Sequence, residues 1–143
     1  MVKDNPNTSF VICQGFSDLS SYFTGVNNVR LIPFVPEDEL RQLMAESDIS
    51  LNIMEDTIGS NVIVTSLAMG LAMVCSDVGS IHEYCSDDNT IFCKNEIVNE
   101  FSDAILKLSS DKKSLLDMKI LSMESRNKFT IEEFHHLMSK KEI

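Results

Sequence analysis

Residues 57–83, TIGSNVIVTSLAMGLAMVCSDVGSIHE, decide the fold. The stretch opens on Gly59-Ser60-Asn61, continues as an apolar helix that Gly70 stops, and enters the short apolar strand Ala72-Met73-Val74-Cys75. Ser60 or Asn61 can cap the helix by accepting from a free first-turn N–H, and a glycine just past the last turn takes the left-handed conformation that ends it. A second turn, Ser76-Asp77-Val78-Gly79-Ser80, follows the strand, and Ser80 can cap a short helix that carries His82 and Glu83. A helix–strand pair flanked by two small polar loops is one unit of a parallel α/β sheet. At the carboxyl edge of such a sheet, helix N-termini present N–H groups that hold anions such as phosphate.

The same alternation extends in both directions. Upstream, residues 9–13 (SFVIC) and 28–33 (NVRLIP) read as strands, separated by a polar, weakly helical stretch. Pro36 sits at the first position of a helix whose opening turn holds Glu37, Asp38 and Glu39, where carboxylates favour the helix dipole. Leu40, Leu43 and Met44 fall on one face of that helix, and residues 50–53 form the third strand. Downstream, residues 90–93 (TIFC) make a fifth strand, and from Glu96 the pattern is wholly helical. Ile97, Phe101, Ile105 and Leu108 make one apolar stripe, and Leu115, Met118 and Leu121 a second. Thr130, with Glu133 three residues on, opens the last helix. Strands alternating with helices predict an α/β fold: a doubly wound parallel sheet with a helical C-terminal segment, in a single domain over residues 1–143.

Charge narrows the partners. The net charge is −10, yet residues 1–93 hold only Lys3, Arg30 and Arg41 against thirteen acids, whereas residues 94–143 balance nine against nine. A sheet-bearing half this acidic repels nucleic acid, so no nucleic-acid partner is expected. The apolar runs are strand-length, which predicts no transmembrane segment, and no signal-peptide core opens the chain. Cys13, Cys75, Cys85 and Cys93 lie mostly inside apolar runs without metal-ligand spacing, so they read as reduced core thiols of a cytoplasmic protein rather than a metal site. No Gly-Lys-Ser/Thr phosphate loop, G-x-G-x-x-G fingerprint or nucleophile elbow occurs, and no catalytic residue is assigned.

From about Ser9 to His136 the chain resembles the C-terminal half of retaining glycosyltransferases of the GT-B fold, the large group that builds sucrose, glycogen, lipopolysaccharide and capsule. The motifs that carry the resemblance are Pro33-Phe34-Val35-Pro36 through Leu40, Leu43 and Asp48-Ile49-Ser50-Leu51, then Ala68 through Glu83 with Gly70, Asp77, Gly79 and Glu83 in place, then Phe129-Thr130-Ile131-Glu132-Glu133. The resemblance implies a Rossmann-like nucleotide-sugar-binding domain of a longer two-domain enzyme that moves a sugar from a nucleotide-sugar donor to a glycan or lipid-linked acceptor in polysaccharide biosynthesis. It implies no cofactor beyond the donor substrate and no metal. It also implies a separate N-terminal acceptor-binding domain, through which any peripheral membrane contact would be made. Base and ribose would lie near Pro33, Val35, Thr57 and Thr65, the diphosphate over Gly59, Ser60 and Asn61, and the sugar near Gly79 and Ser80.

Two departures qualify the activity. The family's pair of glutamates falls on Thr57 and Thr65. A threonine hydroxyl cannot accept from two ribose hydroxyls as a carboxylate does. The family's phosphate-neutralising Arg and Lys lie upstream of the first matched strand, so this chain alone is expected not to turn over. The residues therefore leave a second reading open, a noncatalytic GT-B-like partner or scaffold module that has lost nucleotide binding.

Overall fold

The computed structural model describes residues 1–58 and 60–139. Five strands alternate with helices: β1 (Phe10–Cys13), β2 (Val29–Ile32), α1 (Glu37–Ala45), β3 (Ile49–Asn52), α2 (Asn61–Ala68), β4 (Ala72–Ser76), α3 (Ile81–Tyr84), β5 (Thr90–Cys93), α4 (Val98–Ser110), α5 (Lys112–Ser125) and α6 (Ile131–Ser139). The weakly helical stretch between β1 and β2 is a single tight turn, Ser20–Phe23. Every strand pair is parallel, as the alternation predicts.

The strands form two ladders instead of one continuous sheet. β1 pairs with β2 from Phe10↔Val29 to Cys13↔Ile32, and β4 lies between β3 and β5 in the order β3-β4-β5. No strand pairing joins β1 to β3.

β4 is the centre of the molecule, with all five of its residues buried. Side chains alternate across a strand, so Met73 and Cys75 pack on one face with Ile63 and Leu67 of α2, Leu71 and Ile81. Ala72 and Val74 pack on the other face with Phe101, Ala104 and Leu108 of α4 and Met118 of α5. Helices on both faces explain why the strand reads as an unbroken apolar run.

Local chemistry sets the helix ends. Ser60 caps α2, accepting from the Ile63 N–H at 3.4 Å. At its other end Gly70 N–H donates to the Leu67 carbonyl and Leu71 N–H to the Ser66 carbonyl, the paired bonds of a left-handed glycine stop. Gly70 has φ +72°, a backbone conformation that favours glycine, and a Cβ on it would press on the Met123 side chain of α5. Thr130 caps α6, accepting from the Glu133 N–H at 3.2 Å. Pro36 is the residue just before α1, one position earlier than its sequence context suggested.

The apolar stripes hold in α4, where Phe101, Ile105 and Leu108 are buried, except that Ile97 stands at the cap and is 43% exposed. In α5 only Met118 of the expected stripe is buried; Ser122 and Ser125 share its inner face. The Ser122 hydroxyl donates to the Leu71 carbonyl at 2.7 Å, so this face docks through small residues on the chain leaving α2.

Candidate functional site

The loops leaving β3, β4 and β5 meet at the carboxyl edge of the three-stranded ladder. The fully buried Ser76 hydroxyl, at the end of β4, donates to Asn95 Oδ1 at 2.6 Å and accepts from the Met54 N–H at 2.9 Å. Asn95 Nδ2 in turn donates to the Met54 carbonyl at 2.7 Å. One serine and one asparagine thus fasten three loops. Neither stands out in the sequence, because a Ser at a strand end and an Asn in a polar turn are ordinary there.

A second fastening joins the two motif loops. Ser80 N–H donates to the Thr57 carbonyl at 2.8 Å, and the Ser80 hydroxyl donates to the carbonyls of Thr57 (3.0 Å) and Ile58 (3.1 Å). Ser80 therefore makes no side-chain cap on α3; its hydroxyl is drawn to the neighbouring loop's carbonyls instead. Gly79, at φ +54°, lies so close that a Cβ would collide with the Thr57 carbonyl and the Asp56 carboxylate. The two loops do converge, and they touch each other.

The remaining expected site residues are divided between the two ladders. Thr57 is buried, at 6% exposure, and its N–H is held by the Asp56 carboxylate at 2.8 Å. Ser60 and Thr65 are half-buried on α2 and Asn61 is exposed at its first position, while Gly59 falls outside the described residues. Pro33 is exposed and Val35 half-buried after β2. Between them Phe34, 63% exposed, stacks on Phe16 from the loop after β1, with centroids 5.1 Å apart and planes within 9°. This pair stands at the carboxyl end of the β1–β2 ladder, with Phe34 on the same loop as the expected residues Pro33 and Val35. An aromatic directly after each of two strands, at Gly15-Phe16 and Pro33-Phe34, was the available signal.

Electrostatically the edge is acidic. Glu55, Asp56, Asp77, Glu83 and Glu96 stand on these loops and α3, with Lys94 as the lysine after β5. His82 is exposed but tethered: its Nε2 lies 2.7 Å from Asp77 Oδ1, and its ring packs on Phe92 at 4.1 Å. His135 and His136 are exposed on α6, away from these loops in the chain.

Behind the edge, Cys75, Cys85 and Cys93 are buried and Cys13 is exposed, all as free thiols. A hydrogen bond from Cys75 brings the Cys85 thiol down to about 7, while the same bond and burial push Cys75 up. Burial, with Glu100 adding to it, raises Cys93 to about 11. Among the described residues no cluster of three or more His, Cys, Asp or Glu side chains is arranged to hold a metal ion. No helix among them is long and apolar enough to cross a membrane. A cleft of about 430 Å3 lined by Asp87, Asp88, Lys107, Asp111, Lys113 and Asp117 lies at the opposite, amino edge of β5 and is separate from these loops.

Comparison with known proteins agrees with this architecture. The chain is similar to HepE (Alr3699) of Anabaena in its complex with UDP, with a TM-score of 0.78 at 14% identity over 97% of this chain and 43% of that one. It is also similar to the same protein in complex with UDP-glucose, with a TM-score of 0.65 at 16% identity over 97% of this chain and 44% of that one. The chain thus spans less than half the length of these structural relatives, and at such identity the likeness concerns the fold. No curated protein matches it in sequence. The family model described as "Glycosyl transferases group 1" matches residues 2–111, most of the chain, and the protein belongs to that family.

Proposed function

We propose that this chain is the donor-binding half of a longer, cytoplasmic glycosyltransferase that transfers a sugar from a nucleotide-sugar to a glycan or lipid-linked acceptor in polysaccharide biosynthesis. The observation that carries the reading is the family match over residues 2–111, which spans both converging loops. In support, HepE was solved with UDP and with UDP-glucose. The open face of Phe34 offers a nucleobase a flat apolar surface beside Pro33 and Val35. The first turn of α2, where Ser60 and Asn61 stand, offers N–H groups and a favourable dipole to a diphosphate. The donor sugar would lie over the Ser76–Ser80 loop. An N-terminal acceptor-binding domain is part of this proposal.

Calorimetry on the full-length protein tests it. Heat of binding is expected with one of the uridine, guanosine or adenosine diphosphate sugars, weakened at least tenfold by Phe34→Ala. Absence of heat with all of them refutes it.

One observation favours the noncatalytic alternative. Thr57 and Thr65 stand where the family carries glutamates, and Thr57 is buried with its backbone committed to Ser80 and Asp56. If nucleotide binding appears only after Thr57→Glu and Thr65→Glu together, the native domain is a scaffold.

A further inference from the structure

α5 is apolar on two opposite faces. With 3.6 residues to the turn, Met118, Ser122 and Ser125 fall on its inner face, and all three are buried. Leu116, Ile120 and Met123 fall in line on the outer face, and each remains 46–56% exposed. Met123 lies over Gly70 and still keeps nearly half of its surface open. A surface helix ordinarily turns polar residues to solvent. Three large apolar side chains in a row there form a seam that nothing among the described residues covers.

Charge of opposite sign borders the seam on its two sides. Leu116, Ile120 and Met123 hold the d, a and d places of a heptad, which puts Lys112 and Lys119 at g and Asp117 and Glu124 at e. A two-fold axis across a pair of antiparallel helices keeps each flank on its own side, setting lysine against lysine and acid against acid. In a parallel pair each g place meets the e place of the next heptad on the other helix. Both crossings, Lys112 with Asp117 and Lys119 with Glu124, then join opposite charges. Lys119 already donates to Asp48 at 2.8 Å, and its ammonium has two more N–H groups to give. The excess negative charge that would push two copies apart lies in residues 1–93, outside this helix.

We infer that α5 is a self-association surface: two copies of the protein pair their outer α5 faces in parallel about a two-fold axis, with Leu116, Ile120 and Met123 as the seam. The contact is isologous, so each charge crossing occurs twice. It does not depend on nucleotide binding. Its size limits its strength. α5 has 14 residues and is about 21 Å long. Lys113 holds the a place before Leu116, so the apolar seam begins only there. A contact of this length buries less than the roughly 1,200 Å2 of a stable complex, which makes the dimer weak, with a dissociation constant on the order of 10–100 µM.

Sedimentation equilibrium of the full-length protein from about 5 to about 300 µM tests it. The average mass is expected to climb from monomer toward dimer across that range. Ile120→Glu places a carboxylate in the seam and should leave monomer at every concentration, with an unchanged urea midpoint at low concentration because the side chain faces outward. Lys112→Glu makes both copies of one crossing repulsive and should weaken the dimer about tenfold; adding Asp117→Lys should restore it. A protein that stays monomeric throughout overturns the inference, as does a dimer that Ile120→Glu leaves intact. A double variant no tighter than Lys112→Glu alone overturns the parallel pairing and with it the inference. Two further results would reassign the face and overturn self-association: a monomeric protein whose urea midpoint falls with Ile120→Glu, which places another segment of the same polypeptide on the seam, and a monomeric protein that sediments with phosphatidylserine vesicles unless Ile120→Glu is present, which places a lipid surface there.

Discussion

Gly79→Ala tests whether the two motif loops are one locked unit. The substitution acts in two ways. Holding alanine in the left-handed region at φ +54° costs about 1–2 kcal/mol. The new methyl also collides with the Thr57 carbonyl, which accepts from both the N–H and the hydroxyl of Ser80. Moving that carbonyl away weakens both bonds, at about 1 kcal/mol each. The expected loss is therefore roughly 3–4 kcal/mol. Gly15→Ala supplies the control, because Gly15 has φ +60° but nothing within 4 Å of its Cβ position. It should lose only the backbone part, about 1–2 kcal/mol. With a urea slope of about 2 kcal/mol per molar, the two variants should differ by roughly 1 M in midpoint, read by circular dichroism. Coincident midpoints would show that the loops separate freely and would refute the locked-loop argument.

Ser76→Ala leaves the Met54 N–H and Asn95 without their buried partner, and should cost about 2–3 kcal/mol in the same urea assay. Asp111→Ala removes the side chain that accepts from Lys113 N–H and Ser114 N–H at the start of α5, and should cost about 1 kcal/mol. Iodoacetamide should label Cys13 in the native chain and reach Cys75, Cys85 and Cys93 only on unfolding, a pattern that peptide mass spectrometry resolves. Cys93 is raised to about 11, so above the ordinary thiol value of about 8.5 the folded chain retains a proton that the unfolded chain has released. Its stabilising contribution is full below that value and declines as pH rises toward 11, and urea midpoints for Cys93→Ala should lose this part of the decline.

What was legible in the sequence follows from the range of the interactions. β4 and β5 could be placed because short apolar runs between glycine and polar turns have few other uses, and the structure puts β5 at residues 90–93 as read. Gly70 and Thr130 were legible because a helix stop and a cap involve atoms within five residues. Ser80 was misassigned as a cap for the opposite reason. Its hydroxyl chooses between its own helix and the Thr57 and Ile58 carbonyls, which lie 23 and 22 residues away in the chain. In α5, Leu121 was expected inside on apolar spacing alone, but Ser122 is the residue that meets the Leu71 carbonyl, and close backbone contact favours a small side chain there. The Phe16–Phe34 stack depended on two loops becoming neighbours through β1–β2 pairing, which no local pattern specifies.

The locked loops change how a donor site on this edge has to work. Thr57, Gly79 and Ser80 are occupied in holding the loops after β3 and β4 together, so in the proposed donor role they would supply position, not direct grip. Preorganised loops spare a bound nucleotide the entropy of ordering them. Grip must then come from groups still open: the first turn of α2, the face of Phe34, and cations. Cations are what these loops lack, since Glu55, Asp56, Asp77, Glu83 and Glu96 stand there and on α3 against Lys94. Two phosphate charges brought among five carboxylates meet net repulsion, which oriented N–H groups soften but do not reverse. A leaving diphosphate needs still more positive charge as its bond breaks. If the proposed donor role is right, that charge arrives from outside the loops described, and the isolated chain should bind nucleotide weakly or not at all even when correctly folded. Tight, salt-insensitive binding of UDP by the 143-residue chain would contradict this division between a rigid acidic frame and an external source of positive charge.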